Sequence, residues 1–246
     1  MGLKERQERD REELRGRILD AARELFVAEG YRNVSIRKIA EKVEYSPAAL
    51  YSYFPSKDDV FFALAEEGFH KLFEFTNDPA VMTSDPLTAI RHGFLRYYQF
   101  SRAHPEYFEL MFVDRSVPKI SHEWERFAYV EQMIDEVRGV IKRGIDAGLF
   151  PSDTDSDVAF HILWAAVHGA ATIAVCDRLA PDENPDALAR DTLEAAIAGL
   201  RAGIRTTFTP SECHSPDVAG GPAVKEAKEA KEAKAVKAEK VEKSDA

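Results

Sequence analysis

The sequence predicts an all-α protein. Apolar residues recur at helical spacing from end to end, segments with the alternation of a strand are scarce, and caps and stop residues divide the chain into pieces of helical length. We expect about nine helices, in a small N-terminal domain over residues 1–60 and a larger helical domain over 61–208. Residues 209–246 hold a Lys-Glu-Ala repeat without an apolar face, which predicts a disordered charged tail.

The N-terminal domain is predicted to contain three helices, at about 8–29, 35–43 and 47–53. Gly30 ends the first, because glycine readily adopts the conformations that close a helix. Ser46 is a suitable N-cap for the third helix, and Pro47 fits its first helical position. Because the turn between the second and third helices is short, these two form a helix-turn-helix pair.

The larger domain is predicted to contain six helices, at about 57–76, 86–103, 105–113, 121–147, 155–178 and 185–206. Proline and glycine separate them: His104-Pro105 ends the second of the six, and Gly148 ends the fourth. Aromatic residues are frequent in the middle helices, which predicts a large aromatic core.

The helix-turn-helix pair has the apolar spacing of a DNA-reading motif. Its inward-facing residues, three or four apart, are Ile39, Ala40 and Val43 on one helix and Leu50, Tyr53 and Phe54 on the other. The outer face of the second helix of the pair is small and polar. In such motifs this helix enters the major groove and reads base edges, so the sequence predicts a DNA-binding domain.

Four segments of this region match a known family in residue type and spacing: Ile18–Phe26, Gly30–Tyr31, Ser35–Ala40 and Leu50–Lys57. Through them, residues from about 14 to 62 resemble the DNA-binding head of the TetR family of bacterial transcriptional regulators. The resemblance implies a homodimeric regulator, most often a repressor. Glu44 departs from the family pattern, which usually has glycine at this turn; a left-handed Glu would cost about 1 kcal/mol more than Gly.

The reading helix offers candidate base contacts at its exposed residues, which are Ser46, Ala48, Ala49, Tyr51 and Ser52. The alanines can pack on thymine methyl groups, and the serines can hydrogen-bond to any base. None of the five can make a bidentate base contact. We therefore expect Arg37 and Tyr45 to supplement them, with DNA shape contributing part of the specificity.

Phosphate contacts are inferred from the resemblance. Ser35, Tyr51, Tyr53 and Lys57 match positions that commonly hold the DNA backbone in the family. Tyr53 has a second interpretation, because its place on the inward face also fits a core residue.

The net charge of −10 is distributed unevenly. Residues 1–60 are neutral, with 12 basic and 12 acidic side chains, whereas residues 61–222 carry −11 and residues 223–246 carry +1. Charges farther apart than a Debye length of about 8 Å are screened from one another. The acidic larger domain, called the body below, therefore leaves the cations of residues 1–60, called the head, free to contact phosphates. A neutral head predicts modest non-specific affinity for DNA.

Two cysteines, Cys176 and Cys213, provide no disulfide framework, and the chain has neither an apolar signal region nor a run of 18 apolar residues. These features predict a cytoplasmic protein without a membrane span. Asp153–Asp157 begins like a calcium loop but lacks the required glycine and terminal glutamate. We therefore expect no catalytic residue, metal or cofactor.

The last two predicted helices indicate a subunit interface. The helix through Val158–Cys176 is apolar on two faces, and its small residues, such as Ala165 and Gly169, permit close approach of a partner. The last helix adds a seam of Ala189, Leu193, Ala196, Ile197, Leu200 and Ile204. We expect a four-helix homodimer interface, as the family resemblance also implies. Trp164 with His168-Gly169 further resembles the WHG subgroup of C-terminal domains.

Seven residues of the larger domain are candidate effector contacts: Arg91, Phe94, Tyr98, Phe112, Phe127, Trp164 and His168. The aromatic members fit a core as well as a pocket. The polar members, Arg91 and His168, therefore distinguish an effector site from a plain core. Arg91 lies on an apolar stripe, where its charge needs either an anionic effector or a body carboxylate such as Glu131. His168 either contacts the effector or is satisfied by a backbone carbonyl.

These observations predict a sequence-specific, homodimeric transcriptional regulator that binds double-stranded DNA, a repressor released from a palindromic operator by a small-molecule effector. Two alternatives stay open. One is an activator of the same architecture, and the other is an all-helical ligand-binding protein or enzyme without DNA binding. The lack of an acid–base constellation argues against the latter, whereas Glu44 and the plain reading helix argue for it.

Overall fold

The computed structural model describes residues 2–117, 120, 127–204 and 206–209. The elements are α1 Leu3–Glu29, a 3₁₀ turn Tyr31–Asn33, α2 Ile36–Val43, α3 Pro47–Tyr51, α4 Lys57–Thr76, α5 Pro79–Met82, α6 Pro86–Ala103, α7 Pro105–Phe108, a π turn Glu109–Val113, α8 Ala128–Asp146, α9 Ser156–Val175 and α10 Pro185–Ala202. No strand occurs among the described residues, so the predicted all-α class is confirmed. These helices lie in one unit, Met1–Thr206, and a second unit spans Thr207–Ala246.

Differences from the predicted helices have local causes. The helix α5 was not predicted, and it forms because the Asp78 carboxylate caps the backbone N–H groups that follow Pro79. The predicted helix 105–113 is divided into α7 and the π turn. The predicted helix start at 121 and the tail from 210 to 246, with Cys213, lie outside the described residues.

Serine residues cap the helices on both sides of the turn and at the start of α4. The hydroxyls of Ser35, Ser46 and Ser56 each accept a hydrogen bond from the backbone N–H three residues later, at 3.2, 3.1 and 3.3 Å. Between α2 and α3, Glu44 adopts the predicted left-handed conformation, with φ 63° and ψ 38°. The turn is closed by Tyr45, whose N–H donates to the Ala40 carbonyl at 2.9 Å.

The helix-turn-helix packs on α1. The fully buried side chains at this contact are Ile18, Ala22, Ile39, Ala40 and Leu50. Polar contacts fix α1 to the end of α2: Arg17 donates to the Val43 carbonyl at 3.1 Å, and Lys42 pairs with Glu24 at 2.8 Å. The core and these polar contacts therefore join α1 to α2 and α3.

Helix α4 leads from the head into the body. It packs against α1 at its N-terminal part and against α6, α7, the π turn and α8 along its length. Its inward side chains Phe61, Leu64, Phe69 and Leu72 are buried. A change in the body that displaces α4 therefore reaches the head directly.

Helix α9 forms the center of the body and contacts α6, α8 and α10. Its inner side chains Leu163, Val167 and Ala171 are fully buried, whereas Ala165 and Ile173 are exposed. By length and composition, α9 is the one helix among the described residues that could cross a membrane. The core helix of a soluble protein meets the same criterion, and one such helix is weak evidence for a span.

The apolar seam of α10 lies inside the subunit. Ala189, Leu193, Ile197 and Leu200 are buried, because α10 packs extensively against α9. The assignment of this seam to the homodimer interface was therefore wrong for these four side chains. Ile204, just beyond the helix, is 52% exposed.

Candidate DNA-binding surface and effector cavity

The reading helix α3 presents the residues that the sequence predicts. Ser46, Ala48, Tyr51 and Ser52 are exposed and Ala49 is partly exposed, while Leu50 anchors the helix in the core. The Ser46 hydroxyl already accepts from the Ala49 N–H, so toward a base it can donate. The Ser52 hydroxyl donates to the Ala49 carbonyl at 2.6 Å and can accept.

Three of the candidate residues flank the reading helix on the α2 side. Arg37 is exposed and pairs with Glu41 at 3.0 Å on the same helix. Tyr45 is 42% exposed, and the Arg17 guanidinium lies 5.7 Å from its ring center. Ser35 is exposed and serves as the α2 N-cap. An exposed ion pair of this kind is weak, so Arg37 can exchange Glu41 for a phosphate at small cost.

At the C-terminal end of α3, the two tyrosines differ. Tyr51 is 55% exposed, as a phosphate or base contact requires. Tyr53 is partly buried against the core, and the Arg11 guanidinium lies 5.6 Å from its ring center. Arg15 lies 5.6 Å from the Phe54 ring in the same way. These α1 arginines bring positive charge to this end of the reading helix.

Lys57 is turned inward. Its ammonium donates to the Tyr31 carbonyl at 3.0 Å and lies 3.9 Å from the Tyr31 ring center. Burial lowers the pKa of Lys57. The hydroxyl of Tyr31 donates to Asp58, so this end of α4 is tied to the 3₁₀ turn. A phosphate contact by Lys57 would require its side chain to leave these partners.

The body contains a cavity of about 220 Å³, lined by Phe69, Met111, Phe112, Asp114, Arg115, Ile120, Trp164 and His168. Most of the wall is apolar or aromatic. Asp114 and exposed Arg115 follow the π turn and supply opposite charges at one part of the wall. Such a wall with a few polar groups is typical of a small-molecule site.

His168 is the inner polar group of this cavity. Its Nδ1 lies 2.8 Å from the Tyr97 hydroxyl, and its Nε2 lies 3.4 Å from the Thr172 hydroxyl. Burial lowers the pKa of His168 and raises that of Tyr97. Both groups are therefore neutral at pH 7, and a single hydrogen bond joins the Tyr97 hydroxyl to Nδ1. The Trp164 ring stands 5.0 Å from the His168 ring.

The structure brings together some of the predicted effector residues and separates others. Phe112, Trp164 and His168 line the cavity, and Phe127 packs against its wall residue Phe69, with ring centers 4.6 Å apart. The cavity lining does not include Arg91, Phe94 or Tyr98.

The three separated residues have partners elsewhere. Arg91 binds Glu194 through two hydrogen bonds, of 2.6 and 2.8 Å, and the two side chains are 42% and 49% exposed. Of the two alternatives for Arg91, the structure therefore shows the pair with a body carboxylate, which is Glu194 and not Glu131, and the charge is not buried. Phe94 is buried near Phe160, and the Tyr98 hydroxyl donates to a carboxylate of α10.

The sequence interpretation missed Phe69, Met111, Asp114, Arg115 and Ile120 in the cavity wall. Phe69 lies on α4, whereas the other four lie in or after the π turn, where the regular helical spacing used for prediction is broken. The aromatic density of residues 107–112 was the available signal. Among the described residues, no cluster of three His, Cys, Asp or Glu side chains could hold a metal ion.

Comparison with known proteins identifies both regions. Residues 18–64 match the model of bacterial regulatory proteins of the tetR family, and residues 87–196 match the tetracyclin repressor-like C-terminal domain. The WHG subgroup stays a prediction. The repressor KstR2 of Mycobacterium tuberculosis is 24% identical over 161 residues, which cover 62% of this chain and 79% of the relative.

Two further relatives widen the comparison. The activator FasR of Mycolicibacterium smegmatis is 27% identical over 139 residues, covering 56% of this chain and 63% of FasR. FadR of Bacillus subtilis, solved in complex with stearoyl-CoA, has the same fold, with a TM-score of 0.62 at 17% identity over 74% of this chain and 97% of FadR. Together with the reading helix and its turn, the two matched regions show that this chain belongs to the TetR family of helix-turn-helix transcriptional regulators.

Proposed function

We propose that this protein is a repressor that binds a palindromic operator as a homodimer and leaves it when a small molecule occupies the cavity of each subunit. The observation that carries the proposal is the reading helix. It is capped at Ser46, anchored by Leu50 and open to solvent at Ala48 and Tyr51. That arrangement leaves a small-residue face which a major groove can admit.

In this proposal, the reading helix makes few direct contacts with base edges. Ala48 and Ala49 offer methyl contacts, the Ser46 hydroxyl still has its proton to donate, and the Ser52 hydroxyl still has its lone pairs to accept. Specificity then depends in part on the shape of the DNA, and affinity on phosphate contacts by Tyr51 and neighbouring cations of the head.

Pairing of subunits is expected through the outer face of α9. Ala165 and Ile173 are exposed there, and the small residues Ala166 and Gly169 beside them allow two helices to approach closely. An exposed apolar face on an otherwise buried helix favours a second copy of the chain. A two-fold pair would place two reading helices on successive turns of the major groove, roughly 34 Å apart.

The effector is expected to be compact and mostly apolar. The cavity of about 220 Å³ is smaller than the roughly 300–1,000 Å³ that encloses a drug-sized ligand. A ring can stack against Trp164 or Phe112, and a polar group can meet His168 or Arg115. Binding need shift operator affinity by only about 1–3 kcal/mol.

The choice of repressor over activator and the cellular location are inferred from the relatives. KstR2 is a repressor, and two further relatives at 26–27% identity, AcnR of Corynebacterium glutamicum and Rv1474c of Mycobacterium tuberculosis, are also named repressors, whereas FasR is an activator. These relatives are transcriptional regulators, which supports a cytoplasmic location and a role other than catalysis. The ligand carrier or enzyme without DNA binding is the rival that the following experiment addresses.

Selection from random double-stranded oligonucleotides with the purified full chain should enrich a palindrome. A mobility shift should then give a Kd that rises with salt. The same duplex inserted in a reporter promoter should lower expression in cells that make the protein. Absence of enrichment at low ionic strength would favour the rival, and increased reporter expression would indicate an activator.

A thermal-shift screen of small metabolites completes this test. A compound that occupies the cavity should raise the Tm of the unaltered chain. It should have less effect on a Trp164→Ala variant, and it should weaken the mobility shift. A compound that raises Tm equally in both proteins binds elsewhere.

A further inference from the structure

The hydroxyl of Tyr107 joins a helix of the head to the helix that leads into the body. Arg23 on α1 donates from Nη1 to this hydroxyl at 2.6 Å, and the hydroxyl donates to Oε1 of Glu67 on α4 at 2.8 Å. Tyr107 is buried, and burial raises the pKa of its hydroxyl, so it stays protonated and keeps both bonds. Asp20 pairs with Arg23 at 2.7 Å and Lys71 with Glu67 at 3.5 Å, which completes a charged network around one phenol.

The segment that carries Tyr107 also rests on the backbone of α4. A methyl group added at Gly68 would lie 2.6 Å from Sδ of Met111 and 2.9 Å from the Tyr107 ring. Contacts this close do not occur in relaxed structures, so only glycine fits here without displacement. The Met111 side chain can rotate away, whereas the Tyr107 ring is held at its hydroxyl by two partners.

The other end of the same segment forms the cavity wall. Residues Glu109–Val113 make the π turn that continues α7, and Met111 and Phe112 of this turn line the cavity. Single π turns within helices are frequent at functional sites. Four residues therefore separate the hydroxyl that contacts α1 and α4 from a side chain that a bound molecule would touch.

On the head side, α1 is fixed to the reading pair. Arg17 holds the Val43 carbonyl at the end of α2, and Glu24, one residue after Arg23, pairs with Lys42. A displacement of α1 relative to α4 is thus passed to the turn before α3.

We propose that Tyr107 is the positioning residue through which the cavity controls operator affinity. This inference rests on the proposed function and assigns the coupling to named atoms. A molecule in the cavity displaces Met111 and Phe112, and the segment carries the Tyr107 hydroxyl away from Arg23 or Glu67. Helix α1 then shifts on α4, with the direct Arg23–Glu67 contact of 4.0 Å remaining between them. The reading helices then lose the separation that the operator requires.

The test needs no identified effector, because a larger wall residue can stand in for one. Phe112→Trp adds volume inside the cavity, and we expect it to raise the operator Kd about 10-fold, within the usual range of allosteric coupling. In a Tyr107→Phe background, which keeps the ring and removes the hydroxyl, the same substitution should change Kd less than about two-fold.

The matched control is Tyr98→Phe. Tyr98 is also buried, its hydroxyl donates to Asp186 at 2.6 Å, and the bond joins α6 to α10 away from the head. The tenfold effect of Phe112→Trp should persist in this background. A purely structural role of Tyr107 would lower Tm and leave the ratio of Kd values unchanged.

Gly68→Ala provides an independent route to the same displacement, in case Phe112→Trp does not fold. We expect it to raise the operator Kd several-fold, and to do so less in the Tyr107→Phe background, where the ring is free to move. Gly93→Ala is its control, since an added methyl there meets no atom within 4 Å.

Equal increases of Kd in the Tyr107 and Tyr107→Phe backgrounds would overturn the inference, and so would unchanged operator affinity in both the Phe112→Trp and Gly68→Ala variants. If the unaltered chain fails to bind any enriched duplex, the proposed function itself fails, whatever the tyrosine variants do. These two failures are therefore distinguishable.

Discussion

The reading head and helix α9 treat apolar surface in opposite ways. Every apolar residue of α2 is buried, whereas α9 is apolar around most of its circumference and leaves Ala165 and Ile173 exposed. The reading pair closes its core within one chain, and α3 turns small and polar side chains to solvent together with Tyr51. The outer face of α9 lacks such a cover. The exposed face of α3 therefore suits a polar, hydrated partner, whereas the outer face of α9 suits an apolar one.

The largest expected effect concerns the core of the head. Leu50→Ala removes a fully buried side chain that anchors α3, and we expect a loss of about 2–5 kcal/mol of unfolding free energy together with operator binding. Urea denaturation and a mobility shift measure the two effects. Val27→Ala, at a side chain that is 64% exposed, should change stability by less than about 0.5 kcal/mol. Equal losses in both variants would contradict the assignment of Leu50 to the core.

The next prediction concerns the exposed apolar face of α9. Ile173→Glu places a charge on the exposed apolar face, and we expect subunit association to weaken by roughly 2–3 kcal/mol because an unpaired carboxylate would be desolvated at the interface. Sedimentation velocity should show a shift toward single subunits at unchanged helix content. An unchanged assembly state would exclude this face of α9 as the interface.

A pH dependence sharpens the contrast on the inner face of α9. Burial lowers the pKa of His168 from its ordinary value of 6.5, so the unfolded chain binds a proton that the folded chain resists. The free energy of unfolding is therefore unaffected by protonation of His168 above pH 6.5. Below that pH it falls, by at most about 1.4 kcal/mol per pH unit, because the unfolded chain gains the proton. Unfolding free energies of the unaltered chain and His168→Gln at pH 7.5 and 5.5 measure it. The two proteins should lose different amounts; parallel losses would contradict the prediction.

The smallest prediction compares a cap in the head with one in the body. Ser46→Ala and Asn184→Ala each remove a side chain that accepts a backbone N–H at a helix start, and each should cost about 1 kcal/mol of stability. Only the Ser46 variant should weaken operator binding beyond that loss, because Ser46 also lies on the reading surface. Equal operator affinity in the two variants would remove Ser46 from the DNA contacts.

Much of the fold follows from local rules in the sequence. Ser46 and Pro47 define the start of α3, and the left-handed turn at Glu44 follows from its place between two short helices. Exposure on the reading helix follows from the three-and-four spacing that buries Leu50. Such features depend on residues a few positions apart, so periodicity and capping suffice to predict them.

The candidate effector site depends on distant contacts and was only partly predicted. Arg91 pairs with Glu194, 103 positions away, and no local pattern identifies that partner. The inward turn of Lys57 depends on Tyr31, 26 positions earlier. Met111 enters the cavity wall from the π turn, and Arg115 enters it from the turn that follows, where helical spacing no longer predicts the direction of side chains.

The covered seam of α10 has a consequence for gene dosage. In the proposed homodimer, the seam of α10 is already covered by its own subunit, so it needs no partner and pairing is a separate step that depends on concentration. When copies are scarce, the concentration of the paired form would grow with the square of their number. Operator occupancy by the proposed repressor would then depend on expression level as well as on the effector, and a twofold drop in synthesis would lower it more than twofold.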